Sequence, residues 1–184
     1  MTADDNHIYK TMQENTEKGF RLIVAKFGEP IYWHIRRLLV SHDDTQDAEQ
    51  ETLVKVFRSF SSLKDPNALT AWIYRIATNE AMRILEKEKK PRMLTDSIDG
   101  NTATLAANRM TADQYTDYSD LEAVKLQKAI LSLPPKQQLA FNLRYYDDMS
   151  YSQIGEIAGG TATTAKVNYH LAKEKIVKYM ESND

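Results

Sequence analysis

The sequence predicts an all-α chain of two small helical domains joined by a flexible linker, and three observations carry that expectation. Apolar residues recur at spacings of three and four through most of the 184 residues. Glycine and proline number only 6 and 5, which suits long helices better than a sandwich of short strands. No stretch alternates apolar and polar residues in the manner of a half-buried strand. Residues 91–120 hold no lysine, show weak periodicity and are rich in Thr, Asp, Asn and Ala, which marks them as the linker. The expected units are therefore 16–90, a linker over 91–120 with room for a short helix at 104–110, and 121–182.

The first unit opens on Phe20, Ile23, Val24 and Phe27, a helical stripe that Gly28 ends. Pro30 suits the first turn of the next helix, which continues through Ile31, Ile35, Leu38 and Leu39. After the polar "SHDDTQ", Leu53, Val56, Phe57 and Phe60 mark the buried face of a third helix. A loop, "SSLKDPN", precedes a long helix whose core face is Leu69, Trp72, Ile73, Ile76 and Ala77. Trp72 reads as core, and Tyr74 is open between packing and an exposed role. On that helix Arg75, Asn79, Arg83 and Lys87 recur every four residues and share one polar face.

In the second unit, Leu121, Val124, Ile130 and Leu131 support one helix. Pro134 and Pro135 open another, which runs through Leu139, Phe141, Leu143 and Tyr146. Ser150 and Gln153 then have the spacing of a capping box, and Ile154, Ile157 and Ala158 give the short helix after them one apolar face. Gly159-Gly160 supplies the permissive backbone of a tight turn, and Thr161 suits the N-cap of a last helix. There Ala165, Tyr169, Ala172, Ile176 and Met180 line one face, while Thr163, Thr164, Lys166, Val167, His170 and Lys173 occupy the other. As a hairpin alone, that second face suits either a solvated helix or a helix laid in a DNA major groove.

Composition narrows the function. Cysteine is absent, and four scattered histidines show no metal-ligand spacing, so no disulfide, metal or cofactor is expected. No nucleophile–base pair or phosphate-cradling glycine loop is present either, so no enzyme is expected. The polar N-terminus is unlike a secretion signal and no apolar run approaches the roughly 20 residues that span a bilayer, which predicts a cytoplasmic protein without membrane insertion. Net charge is −2, low for a protein that holds DNA strongly by itself. Residues 1–90 carry 14 basic and 14 acidic side chains, residues 91–120 two and five, and residues 121–184 eight and seven. The negative excess thus sits in the linker.

The stretch "LSLPPKQQLAFNLRYYDDMSYSQIGEIAGGTATTAKVNYHLAKEKI" resembles the fourth region of sigma-70-family RNA polymerase sigma factors. "DDTQDAEQETLVKVF" and "LTAWIYRIATNEAMRIL" resemble two helices of the family's second region. Two regions in this order, joined by a short linker, resemble the extracytoplasmic-function (ECF) group. The resemblance covers roughly residues 16–90 and 121–180 and implies promoter-specific initiation by way of RNA polymerase core.

It also implies roles. Asp47, Gln50, Glu51 and Val54 stand on the helix that family members dock on the clamp coiled coil of the polymerase's largest subunit. Arg75, Asn79, Arg83 and Lys87 stand on the helix that reads the minus-ten element, with Glu80, Glu86 and Glu88 diluting its basic character. Lys64, Asp65 and Asn67 lie in the loop that captures an unstacked minus-ten base, or in an ordinary polar loop. The outward residues of the last helix, Thr163 to Lys173, face the minus-thirty-five element, where helix N-terminal amides and threonine hydroxyls can hold a phosphate. Gly160, Thr163, Asn168 and Leu171 depart from the family pattern, and Leu171 can meet a thymine methyl or pack. An anti-sigma partner is expected for the group. The linker resembles the segment that enters the polymerase cleft. Two other readings stay open: a stand-alone helix-turn-helix regulator, and a degenerate sigma-like interaction protein.

Overall fold

A computed structural model describes residues 3–92 and 119–182, and all regular structure among them is helical. The linker and the helix expected at 104–110 fall almost wholly outside the described residues. Helix α1 (Ala3–Glu14) precedes everything the apolar stripes marked. It packs on α2 (Thr16–Leu39), with Ile8 and Met12 buried and Gly19 of α2 beneath it. A Cβ at Gly19 would stand 2.4 Å from the Met12 Cα, so the two helices meet this closely only because that side chain is missing.

The sequence places a break at Gly28, but α2 runs on unbroken with Pro30 inside it. Proline in a helix interior costs about 3 kcal/mol. Here Ile23 and Phe27 before it, and Ile31, Ile35 and Leu38 after it, lie on one buried stripe. Burying that stripe as a single rod offsets the lost hydrogen bond. The rod ends where Val40 adopts φ 66°, a strained conformation for a β-branched residue. Val40 is held there by burial against Leu131 and Val124 from the other half of the chain.

Ser41 caps α3 (His42–Ser59), whose buried face is Thr45, Ala48, Thr52 and Val56. Of the four residues expected to line that face, Val56 and Phe60 are buried and Leu53 is half-buried. Phe57 points outward instead and meets Phe20 edge-on at 5.1 Å between ring centres. The expected stripe was turned too far round the helix, because the small Thr45, Ala48 and Thr52 allow close approach of α2 and α4 (Leu69–Arg92). Two short 3₁₀ turns, Phe60–Ser62 and Pro66–Ala68, carry the chain from α3 to α4. Helix α4 includes Pro91 and Arg92, two residues beyond the expected start of the linker.

The second half comprises α5 (Leu121–Leu131), α6 (Pro135–Tyr145), α7 (Tyr151–Ala158) and α8 (Ala162–Glu181). Leu121, expected in the core, is 78% exposed, since it occupies the first turn before α5 reaches α8. Tyr146 is 40% exposed, meets Tyr145 edge-on and stacks against the Arg37 guanidinium of the other half. The two halves share one core: Leu139, Ala140, Leu143, Ile154, Ile157 and Ala165 pack continuously with the buried side chains of α2 and α4. Helix α7 lies on α4, and α6 touches α2.

Candidate nucleic-acid and polymerase interfaces

The helix-turn-helix is built from local rules that hold as expected. The Ser150 hydroxyl accepts from the Gln153 N–H at 3.2 Å while the Gln153 side chain accepts from the Ser150 N–H at 3.0 Å. Gly159 takes the left-handed conformation at φ 70° and closes α7. Thr161 caps α8, and Thr164 reaches back in a second reciprocal box, its hydroxyl 3.0 Å from the Thr161 nitrogen. The Thr164 hydroxyl is therefore engaged in the cap, which leaves Thr163 as the outward hydroxyl of the first turn. Gly155 sets the spacing of the pair: a Cβ there would stand 2.7 Å from the Thr161 carbonyl carbon.

Along α8, Ala165, Ala172 and Ile176 are buried, with Tyr169 and Met180 half-buried beside them. Thr163, Thr164, Lys166, Val167, His170 and Lys173 are all exposed. On α4, Arg75, Asn79, Arg83 and Lys87 are likewise all exposed. Glu80, expected to dilute the basic character of this helix, does not reach its exposed face. It is 2% exposed and accepts from Lys55 of α3 and from the Arg83 Nε at 3.0 Å. Burial pushes its carboxyl up, but the hydrogen bonds from Lys55 and Arg83 outweigh that and hold it below the usual range. Tyr74 is also settled as buried, at 4% exposure.

On α3, Asp47, Gln50, Glu51 and Val54 are exposed and follow one another at helical spacing opposite the buried threonines. In the 61–68 loop, the Asp65 carboxylate accepts from the backbone and side-chain nitrogens of Asn67 at 2.9 and 2.8 Å. Lys64 donates to the Ser61 carbonyl and stands on the rim of a cavity of about 540 Å³. Tyr9, Met12, Phe57, Phe60 and Leu63 wall that cavity. Sequence reading missed it because Tyr9, Met12 and Gln13 of its wall come from α1, far from the loop in sequence.

The other feature missed is the seam. Arg37 Nη2 donates to both Asp147 oxygens at 2.8 Å, and the guanidinium lies 4.6 Å from the Tyr146 ring centre. The Tyr74 hydroxyl donates to Asp147 at 3.3 Å. His34, fully buried, pairs its Nε2 with the Thr78 hydroxyl at 2.8 Å. Because Thr78 donates to the Tyr74 carbonyl, it accepts from His34, which fixes the proton on Nε2. His34 Nδ1 lies 3.8 Å from Asp147, too far for a direct hydrogen bond, so its influence there is electrostatic. Burial lowers the His34 pKa despite that carboxylate. Burial alone would raise Asp147, but His34 and Arg37 hold it below the usual range. The Tyr74 phenol is pushed up, chiefly by burial and then by the Asp147 charge.

The description Sigma-70 region 2 matches residues 23–90, and Sigma-70, region 4 matches residues 123–176. The ECF RNA polymerase sigma factor SigW of Bacillus subtilis is 26% identical over 175 residues, covering 93% of this chain and 94% of its own. The ECF RNA polymerase sigma-E factor of Haemophilus influenzae is 25% identical over 176 residues, covering 94% and 93%. Among solved structures, RpoE bound to the anti-sigma factor NepR from Bartonella quintana superposes with a TM-score of 0.71 at 21% identity, over 91% of this chain and 99% of that one. CnrH in complex with the cytosolic domain of CnrY gives 0.69 at 15% identity, over 98% and 99%. With both regions matched in this order along the chain, it belongs to the sigma-70 family of RNA polymerase sigma factors. Within that family it is an extracytoplasmic-function sigma factor, a promoter-directing subunit of transcription initiation.

Proposed function

We propose that this sigma factor engages core RNA polymerase and promoter DNA through three separate outward faces, one on each of α3, α4 and α8. The observation that carries the reading is that Asp47, Gln50, Glu51, Val54, Arg75, Asn79, Arg83, Lys87, Thr163, Lys166, Val167, His170 and Lys173 are all exposed, while the opposite sides of the same helices form the core. Asp47, Gln50, Glu51 and Val54 meet the clamp coiled coil of the largest subunit, carboxylates suiting a basic helical partner. Arg75, Asn79, Arg83 and Lys87 read the minus-ten element. Lys64, Asp65 and Asn67 border the capture of its unstacked base, for which the neighbouring cavity offers a concave site with aromatic and polar walls. Helix α8 enters the minus-thirty-five major groove with its first turn toward the phosphates.

The working units are 16–90 and 121–182, tethered by residues 91–120. Two promoter elements about 25 base pairs apart are separated by roughly 85 Å of duplex at ~3.4 Å per pair. A compact chain of this length has a radius of gyration of about 16 Å. Both DNA faces therefore engage one promoter only when the Arg37–Asp147 seam opens. The protein acts in the cytoplasm with no catalytic step of its own, the chemistry belonging to the polymerase. An anti-sigma factor is its expected regulator, as the anti-sigma factor NepR is seen with RpoE. No helix among the described residues is long and apolar enough to cross a membrane.

The test is charge reversal on α3. Asp47→Lys with Glu51→Lys is expected to weaken binding to purified core at least tenfold in a fluorescence titration, with the helical circular-dichroism signal unchanged. Undiminished core affinity would assign the docking face elsewhere.

A further inference from the structure

The middle of the outward face of α8 is apolar, in a helix otherwise rich in charge. Val167 is 53% exposed and Leu171 40%, one turn apart and opposite the buried Ala165, Ala172 and Ile176. Thr163 extends this ridge toward the N-terminus. Glu174 ends it, bound to Lys178 at 2.9 Å. Helical geometry sets Lys166 and Lys173 roughly a third of a turn away from Val167, on the flank of the ridge, with His170 between. Flanking lysines suit the phosphate walls of a groove, whereas the ridge itself meets its floor. No arginine follows Arg144 in the sequence, so α8 has no guanidinium for the commonest bidentate contact to guanine. The floor of a major groove offers one apolar group, the C5 methyl of thymine.

We propose that Val167 and Leu171 select the minus-thirty-five element by contact with thymine methyl groups, while Lys166 and Lys173 hold the adjoining phosphates. This rests on the reading that α8 enters that groove. The occupant is duplex DNA and not an apolar protein partner, because the ridge is bordered by cations and lies in the N-terminal half of the second helix of a helix-turn-helix, the part that reaches base edges.

Replacing thymine by uracil removes only the methyl and leaves every hydrogen-bonding edge in place, so it isolates the contact. Holoenzyme assembled from the full chain and purified core would select from a duplex pool randomised over the upstream element. The winning sequence would then be resynthesised with deoxyuridine at each thymine in turn. The expected result is about a fourfold loss of promoter affinity at one or two positions, the effect of one buried methyl-sized group. That loss should disappear in the Val167→Ala, Leu171→Ala double variant and persist in Val167→Ile. Lys166→Ala should instead weaken all sequences alike and reduce the salt dependence by about one phosphate contact. Uracil tolerated at every position by the wild type, or sensitivity kept by the double variant, overturns the proposal. An apolar partner protein that competes for the ridge while uracil stays silent overturns it too. Failure of the broader reading looks different: core would not bind, or minus-ten-dependent initiation would be missing from every template.

Discussion

On the outward face of α4, Arg75, Asn79 and Lys87 meet solvent and owe little to the fold beyond their spacing, and Arg83 beside them is exposed but tied to Glu80. At the seam, Arg37, Asp147, Tyr74, Thr78 and His34 meet one another across two helices and a turn, largely out of water. The first arrangement leaves its groups exposed to solvent. The second pairs most of its groups internally, leaving the buried His34 Nδ1 and Arg37 Nε without a hydrogen bond, and so ties the two halves of the chain together. Polar side chains thus serve opposite ends in one small protein, and burial decides which.

The largest way to break this contrast is Asp147→Ala. It strands the Arg37 guanidinium and the Tyr74 hydroxyl in the seam, and the loss should be about 3 kcal/mol in urea unfolding, with the two halves ceasing to melt together. The same seam should respond to acid. His34 has a lowered pKa, so the unfolded chain takes up its proton more readily and stability falls as pH drops through the unfolded value of 6.5. Asp147 and Glu80 have lowered pKa values, so their contribution is complete above 3.8 and 4.5 and is lost as pH falls through the lower folded values. Urea midpoints should therefore decline steadily below pH 6.5, and His34→Gln should flatten the first part of that decline.

Gly155→Ala comes next, at about 2 kcal/mol, because its Cβ meets the Thr161 backbone and must prise α7 from α8. Glu80→Gln should cost about 1–2 kcal/mol by weakening the bonds from Lys55 and Arg83. Lys166→Ala should change stability by less than about 0.5 kcal/mol, since the side chain is exposed. An exposed-face substitution that unfolded the protein would erase the contrast.

The same division explains what could be read from the amino-acid order. The α7–α8 hairpin was legible to the residue, because Ser150, Gln153, Gly159 and Thr161 act within three positions of themselves. The outward faces of α3, α4 and α8 were legible because exposure follows helical period. Gly28 and Pro30 misled, since a local helix-breaking rule gave way to one continuous buried stripe. Phe57 and Leu121 misled because hydrophobicity alone does not say which side of a helix finds a neighbour. The seam was invisible: nothing near Asp147 announces a partner 110 positions earlier.

The two halves share one core in the free chain, and the proposed promoter engagement requires them to separate. The sequence has no cysteine, so a dye pair can be placed cleanly at Arg21→Cys and Glu181→Cys. Energy transfer between them, followed from free chain to a holoenzyme initiating selectively from one promoter, tests the claim most directly. The prediction is high transfer in the free chain and its collapse in the promoter complex. Selective initiation with transfer unchanged would contradict it.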